Sequence, residues 1–94
     1  MLFSFYCRDR ANHEQVRAAN RPEHLAYLEK AGSQLVFAGP LLTDDGAKPL
    51  GSLLVVDCAD RRAAEAFAAG DPYAKAGLFA EVSIAAVRQV FPKA

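Results

Sequence analysis

The chain has 94 residues, the length of one domain, so residues 1–94 are predicted to fold as a single unit. Eleven Lys and Arg residues balance eleven Asp and Glu residues, and the sequence lacks the basic stripe of a nucleic-acid binder. No run approaches the roughly 20 apolar residues of a membrane span, and the apolar start "MLFSFYC" is too short for a secretion signal. We therefore expect a cytoplasmic protein that contacts neither nucleic acid nor membrane.

The first third of the chain is predicted to form a strand followed by a long helical segment. Residues 2–7, "LFSFYC", are rich in aromatic side chains and indicate the strand. Apolar residues at helical spacing indicate a helix over residues 12–31, which Gly32 is expected to end. Pro22 interrupts this pattern, so the segment is either one kinked helix or two abutting helices, the second capped by Asn20.

Further elements follow in the rest of the chain. The patterns indicate a strand over 34–42, a strand over 51–58, a helix over 59–70 and a strand over 81–91. The Gly39-Pro40 pair favours a sheet edge or a bulge for the first of these strands. Asp60 is expected to cap the helix, and "DPYAKAG" is typical of a turn or a one-turn helix.

The order β-α-β-β-α-β in fewer than 100 residues predicts the α+β class and a ferredoxin-like arrangement. Such a fold has an antiparallel sheet with both helices on one face. The other face would be bare, although the strands carry many apolar residues. We therefore expect a homodimer whose two sheets pack against each other.

The two cysteines, Cys7 and Cys58, each stand at the end of an apolar run. Two cysteines do not make a disulfide framework, and buried free thiols are the expected state. The sequence also contains no zinc or calcium motif, so we expect no metal site.

One face of the long helix carries residues that favour binding of an anionic ligand. Arg17, Arg21, His24 and Leu28 are spaced three or four apart and share a stripe. Two guanidinium groups beside a titratable imidazole suit an anion that gains or loses a proton. The alternative is an ordinary solvated helix face, and spacing alone does not exclude it.

A histidine acts best as acid or base when a carboxylate fixes its tautomer. The aspartate candidates are Asp9, Asp44, Asp45, Asp57, Asp60 and Asp71. Asp71 precedes Pro72, which is also typical of a simple helix cap. Ser52 lacks a nucleophile-elbow motif but is able to donate a hydrogen bond to a ligand, and Tyr27 and Tyr73 either line a pocket or pack in the core.

Five segments in order resemble the YciI-like (YCII-related) family: "RPEHLAYLEKAG", "FAGPLLTDDG", "GSLLVVDCAD", "AAEAFAAGDPYAKAGLFAEV" and "VRQVF". The resemblance implies a ferredoxin-like fold, a dimeric α+β barrel and a pocket built around a histidine and an aspartate. These two match His24 and Asp71, whose capping role is compatible with a partnership. Other characteristic positions match Arg21, Gly39, Pro40, Ser52 and Tyr73.

Two functions are compatible with these residues. The first is a cofactor-independent lyase or isomerase acting on a small anionic or enolisable cyclic compound, since one branch of the family resembles enzymes that eliminate HCl from chlorinated rings. His24 would be the base and then the acid, Asp71 its partner, and Arg21, helped by Arg17 and Ser52, the anion holder. The second is a dimer that binds or senses a small ligand without transforming it; a dimer without any ligand explains these residues poorly.

Overall fold

The computed structural model describes residues 1–93 and contains a four-stranded sheet flanked by helices. The elements in chain order are β1 (Leu2–Asp9), α1 (Glu14–Ala31), a 3-10 turn (Gly32–Gln34), β2 (Leu35–Leu42), β3 (Pro49–Asp57), α2 (Arg61–Gly70), α3 (Pro72–Lys75) and β4 (Phe79–Val87). The strands are ordered β2-β3-β1-β4, and every neighbouring pair is antiparallel. The predicted ferredoxin-like α+β fold is therefore confirmed, with β2 at a sheet edge.

The last strand shows the largest difference from its predicted boundaries, and the other elements differ from theirs by up to two residues at an end. It spans Phe79–Val87 rather than 81–91, because its pairing with β1 stops where Leu2 meets Val87. At its other end, one extra residue, Ala80, stands between the pairs Arg8–Glu81 and Asp9–Phe79. This bulge turns Phe79 toward the helices, where it packs against the core.

Pro22 lies inside α1 and does not divide it, so the segment is one continuous helix. The amide group of Asn20 donates to the Val16 carbonyl (2.9 Å) instead of capping a second helix. Buried residues lie on both sides of the proline: Arg17 is bonded to the sheet and His24 packs against α3. This tertiary packing outweighs the lost backbone hydrogen bond. The helix ends at Gly32, whose φ of 56° is left-handed and whose N–H bonds to the Glu29 carbonyl.

The core lies between the helices and one face of the sheet. Alternate residues of β1 and of β3 point into this core. The core residues on these two strands include Phe3, Phe5, Cys7, Leu54 and Val56. Cys7 and Cys58 are both buried free thiols, as expected. In the part of the chain that the structure describes, no helix has both the length and the apolar run of a membrane span.

The opposite face of the sheet, which we call the open face, carries no helix formed by residues 1–93 and is apolar at several positions. Tyr6, Phe37 and Val87 are 40%, 53% and 40% exposed there. Leu2, Val55 and Val87, with residues 88–92 beyond β4, line a groove of about 530 Å³ on this face. A large apolar surface of this kind is typical of a protein–protein interface.

Candidate functional site

A cavity of about 200 Å³ lies between α1 and the strands β2 and β3. Its polar side chains come from the predicted stripe on α1 and from β3: Arg17, Arg21, His24 and Ser52. Its apolar wall is formed by Leu25, Leu28, Leu54 and the edge-strand segment Ala38-Gly39-Pro40, and Tyr73 of α3 completes it. The cavity thus combines several convergent polar side chains with an apolar wall, a pairing that small-molecule sites use to orient a ligand.

His24 and Asp71 form a buried hydrogen bond beside this cavity. His24 Nδ1 lies 2.8 Å from Asp71 Oδ1, and the two residues are 7% and 4% exposed. The same Oδ1 accepts the Tyr73 backbone N–H (2.9 Å), so Asp71 also caps α3. An ionised carboxylate only accepts hydrogen bonds, so Nδ1 carries the proton of the neutral imidazole.

With Nδ1 protonated, the Nε2 atom of His24 is left with a free lone pair. Nε2 has no hydrogen-bond partner among residues 1–93. In those residues every fully buried side-chain nitrogen or oxygen has a partner. Nε2 must therefore keep some accessible surface, and the accessible space next to His24 is the cavity. A ligand in the cavity would meet the basic side of the imidazole.

Tyr73 holds the ring of His24 in place. The two rings stack with centroids 3.9 Å apart and planes 14° from parallel. Arg17 approaches the same tyrosine ring, with Cζ 4.7 Å from its centroid, a distance typical of a cation–π contact. Burial raises the pKa of the Tyr73 hydroxyl, although Arg17 and Arg21 oppose this, so the tyrosine is neutral near pH 7. The Tyr73 ring therefore contacts two of the polar side chains of α1, His24 and Arg17.

Arg17 is held by Asp9, at the end of β1, and by Ser52. Its Nε donates to Asp9 Oδ2 (2.7 Å), and its Nη2 donates to Asp9 Oδ1 (3.0 Å) and to Ser52 Oγ (2.9 Å). Burial disfavours the charge of the guanidinium, but the hydrogen bond and charge of Asp9 outweigh it and raise the pKa of Arg17. Arg17 is therefore a permanently charged, geometrically fixed group.

Positively charged side chains line the cavity, and negatively charged ones lie farther from it. Arg17 and Arg21 line it, whereas Asp9 and Asp71 do not. Arg21 is exposed and forms no ion pair with any residue of 1–93. The cationic groups therefore face a ligand directly, and the carboxylates stand behind them. No three His, Cys, Asp or Glu side chains of residues 1–93 gather as a possible metal site.

The structure places the residues predicted from the sequence as follows. Six residues were predicted to form the site. Asp71 does not line the cavity but contacts His24 on the side away from it. The other five line the cavity: Arg17, Arg21, His24, Ser52 and Tyr73. Tyr27, the other tyrosine considered, packs away from the cavity with its hydroxyl on the Phe67 carbonyl (2.9 Å). The sequence reasoning missed that Asp9 pairs with Arg17. A signal existed, because Asp9 continues the alternation of the buried residues Phe3, Phe5 and Cys7 along β1.

Comparison with known proteins gives consistent results. The model of the YCII-related domain family matches residues 1–88. Protein YciI of Escherichia coli O6:H1 (strain CFT073) is 34% identical over 98 residues, covering 97% of this chain and all of the relative. An uncharacterised protein of Haemophilus influenzae is 33% identical with the same coverage.

A solved structure is also similar to this chain. It is 5-chloro-2-hydroxyhydroquinone dehydrochlorinase (TftG) from Burkholderia phenoliruptrix AC1100, in complex with 2,5-dihydroxybenzoquinone. The two folds superpose with a TM-score of 0.87 and 35% sequence identity, and the match covers 94% of each chain.

Proposed function

This chain belongs to the YCII-related family, and from that premise we propose that it is a dehydrochlorinase-like lyase or isomerase that acts on a small cyclic compound without a cofactor. The observation that carries the proposal is the orientation of His24. Its Nδ1 is engaged by Asp71, and its Nε2 opens on a cavity whose ligand-facing charges are positive. A neutral base beside fixed cations suits removal of a proton from a hydroxyl and stabilisation of the resulting anion.

The size and polarity of the cavity support a single ring as the ligand. An apolar cavity of about 150 Å³ is large enough for benzene, so about 200 Å³ suits one ring with a few substituents. Arg17 and Arg21 offer only donors, and the Ser52 hydroxyl, which accepts from Arg17, is free to donate its own proton. His24 Nε2 is the acceptor. A ring with one acidic hydroxyl and neighbouring oxygen acceptors matches this arrangement.

The compound named for the similar enzyme, 5-chloro-2-hydroxyhydroquinone, provides a concrete reaction. In our proposal His24 Nε2 takes the proton of the hydroxyl next to the chlorinated carbon, and that oxygen becomes a carbonyl. The imidazolium returns the proton to the chlorinated carbon. The hydroxyl para to the first then loses its proton to solvent, a second carbonyl forms, and chloride leaves with the electron pair of the C–Cl bond.

The balance of this reaction is one proton and one chloride lost, and the product is hydroxybenzoquinone. The two carbons that become carbonyls lose two electrons in total, and the carbon that exchanges chlorine for hydrogen gains two, so no external oxidant is needed. Arg21, with Arg17 and Ser52, would hold the negative oxygen formed when Nε2 takes the first proton. Asp71 would stabilise the imidazolium that exists between the transfers.

The experiment is an anaerobic chloride-release assay with 5-chloro-2-hydroxyhydroquinone. His24→Ala should abolish turnover, whereas His13→Ala, which removes the other histidine at the start of α1 and outside the cavity, should not. Turnover that persists in a folded His24→Ala protein would refute the mechanism. Saturable binding of 2,5-dihydroxybenzoquinone by wild-type protein that releases no chloride would favour the alternative, a binding or sensing dimer.

The proposal includes a homodimer formed through the open face. The exposed Phe37 and Tyr6 lie on that face, and burying them against a second copy would remove apolar surface from water. Phe37→Glu should shift the mass measured by sedimentation equilibrium from dimer toward monomer. Val82→Glu is the matched control, because Val82 is 41% exposed but has the register of the helix-covered face, opposite Cys7. A wild-type monomer, or equal effects of the two variants, would contradict the dimer.

A further inference from the structure

We infer that Asp9 is a positioning residue for the ligand: it holds the Arg17 guanidinium so that one nitrogen, Nη1, is presented to the cavity. The inference rests on the proposed function, since it concerns the same site. Neither the resemblance to the family nor the spacing of residues singled out Asp9 for this role.

Most of the hydrogen-bond donors of Arg17 are already engaged by protein groups. A guanidinium has five N–H groups, one on Nε and two on each terminal nitrogen. Asp9 accepts from Nε (2.7 Å) and Nη2 (3.0 Å), and Ser52 accepts from Nη2 (2.9 Å). Three of the five donors are therefore occupied, and the two that remain are both on Nη1.

The accessible surface of Arg17 indicates where Nη1 points. Nη1 has no acceptor at hydrogen-bond distance among residues 1–93, although the Tyr73 side chain lies close enough to help raise the pKa of Arg17. Those residues also contain no fully buried side-chain nitrogen without a partner, so Nη1 keeps some accessible surface. Arg17 as a whole is only 8% exposed and lines the cavity. The accessible part of its side chain thus includes Nη1, and the cavity is the space it faces.

Asp9 is well placed to impose this orientation. Its side chain is 11% exposed and that of Arg17 is 10% exposed, so the pair is largely shielded from water. The two parallel hydrogen bonds fix the plane of the guanidinium as well as its position. Asp9 itself does not line the cavity, so it acts on a ligand through Arg17 and not by contact.

Removal of the Asp9 charge has two opposing effects on an anionic ligand. The site becomes more positive, which favours the anion at long range. The guanidinium also loses its fixed orientation, and with it a directed charge-assisted hydrogen bond that is made at contact distance. High salt screens the first effect, since the Debye length is about 3 Å at 1 M, and leaves the contact effect to dominate.

The test is a double-mutant cycle for binding of 2,5-dihydroxybenzoquinone, measured by titration calorimetry at high salt. Asp9→Asn should weaken binding about tenfold or more, the loss expected for one charge-assisted hydrogen bond. Arg17→Met should weaken it at least as much. The double variant should bind like Arg17→Met, because Asp9 acts only through Arg17. Asp57→Asn is the control, since Asp57 pairs with the N-terminal amine outside the cavity.

The outcomes separate this inference from the proposed function. Wild-type affinity in a folded Asp9→Asn protein, or additive effects of the two substitutions, would overturn the positioning role and leave the proposed function intact. A wild-type protein that does not bind the quinone would overturn both. A purely structural Asp9 would lower the melting temperature of Asp9→Asn without moving the dissociation constant.

Discussion

Asp71 has two duties in this structure, and a pair of substitutions should separate them. Its Oδ1 caps α3 through the Tyr73 N–H and also accepts from His24 Nδ1. Asparagine is as good an N-cap as aspartate, and its side-chain oxygen accepts the same two hydrogen bonds. Asp71→Asn therefore removes the negative charge with little change in the hydrogen-bond geometry, whereas Asp71→Ala removes both.

The magnitudes follow from the contacts. A hydrogen bond to a charged group contributes about 1.5–3 kcal/mol and a neutral one about 0.5–1.5 kcal/mol. The difference of about 1–2 kcal/mol is felt when His24 carries a proton, so kcat should fall roughly 5- to 30-fold in Asp71→Asn. Its free energy of unfolding should change by less than about 1 kcal/mol, since the cap remains.

Asp71→Ala should behave differently, because it leaves two buried donors, His24 Nδ1–H and the Tyr73 N–H, without an acceptor. We expect a loss of about 2–4 kcal/mol in the free energy of unfolding, together with a larger loss of activity. Asp60→Ala is the control: Asp60 caps α2 through the Ala63 N–H (2.9 Å), so its loss should cost about 1 kcal/mol without affecting turnover.

The assays are urea denaturation and anaerobic chloride release. The reasoning is refuted if Asp71→Asn turns over at the wild-type rate, because Asp71 would then be a helix cap alone. It is also refuted if Asp71→Asn loses as much stability as Asp71→Ala, since asparagine would then not replace the cap.

Three further outcomes are expected. Burial raises the pKa of the Cys7 thiol from 9.0 to about 12. Above pH 9 the unfolded chain loses this proton and the folded chain keeps it, so Cys7 should lower the free energy of unfolding by about 1 kcal/mol from pH 9 to 10. In urea titrations Cys7→Ala should remove this part of the slope and leave the part due to the raised pKa of Cys58. Tyr73→Leu should lower kcat by removing the stacked ring, whereas Tyr73→Phe, which keeps the ring, should retain most of the activity in the chloride assay. Gly51→Ala should destabilise the fold by more than about 2 kcal/mol in urea titrations, because the added Cβ would overlap the Cys7 carbonyl oxygen; an alanine variant of wild-type stability would contradict the strand packing.

Much of the fold follows from local patterns. Alternation along β1 and β3 defines the buried face, and the sequence of elements is sufficient for the topology. The bounds of β4 were missed because the length of a strand is set by its partner, and β1 begins only at Leu2. Pro22 was ambiguous because its cost is local, whereas the packing that keeps α1 continuous is tertiary.

The candidate site was predictable to a lesser degree. Spacing on α1 brought Arg17, Arg21 and His24 to one face, but it did not identify a carboxylate partner. Asp71 is 47 positions from His24, and the resemblance to the family, not the local pattern, indicated their contact. Alternation along β1 places Asp9 on the helix-facing side of the sheet, but its pairing with Arg17 depends on where the end of β1 meets α1, a distance between elements that alternation does not encode.

The most direct test of the role of His24 is a ¹⁵N NMR spectrum of the histidine side chains, recorded with and without 2,5-dihydroxybenzoquinone. In the free protein, the neutral form of the His24 imidazole should carry its proton on Nδ1 and none on Nε2. Added quinone should shift the Nε2 signal and leave His13 unchanged. The opposite tautomer, or an Nε2 signal that does not move at saturating quinone, would contradict the assignment of His24 as the group that exchanges protons with the ligand.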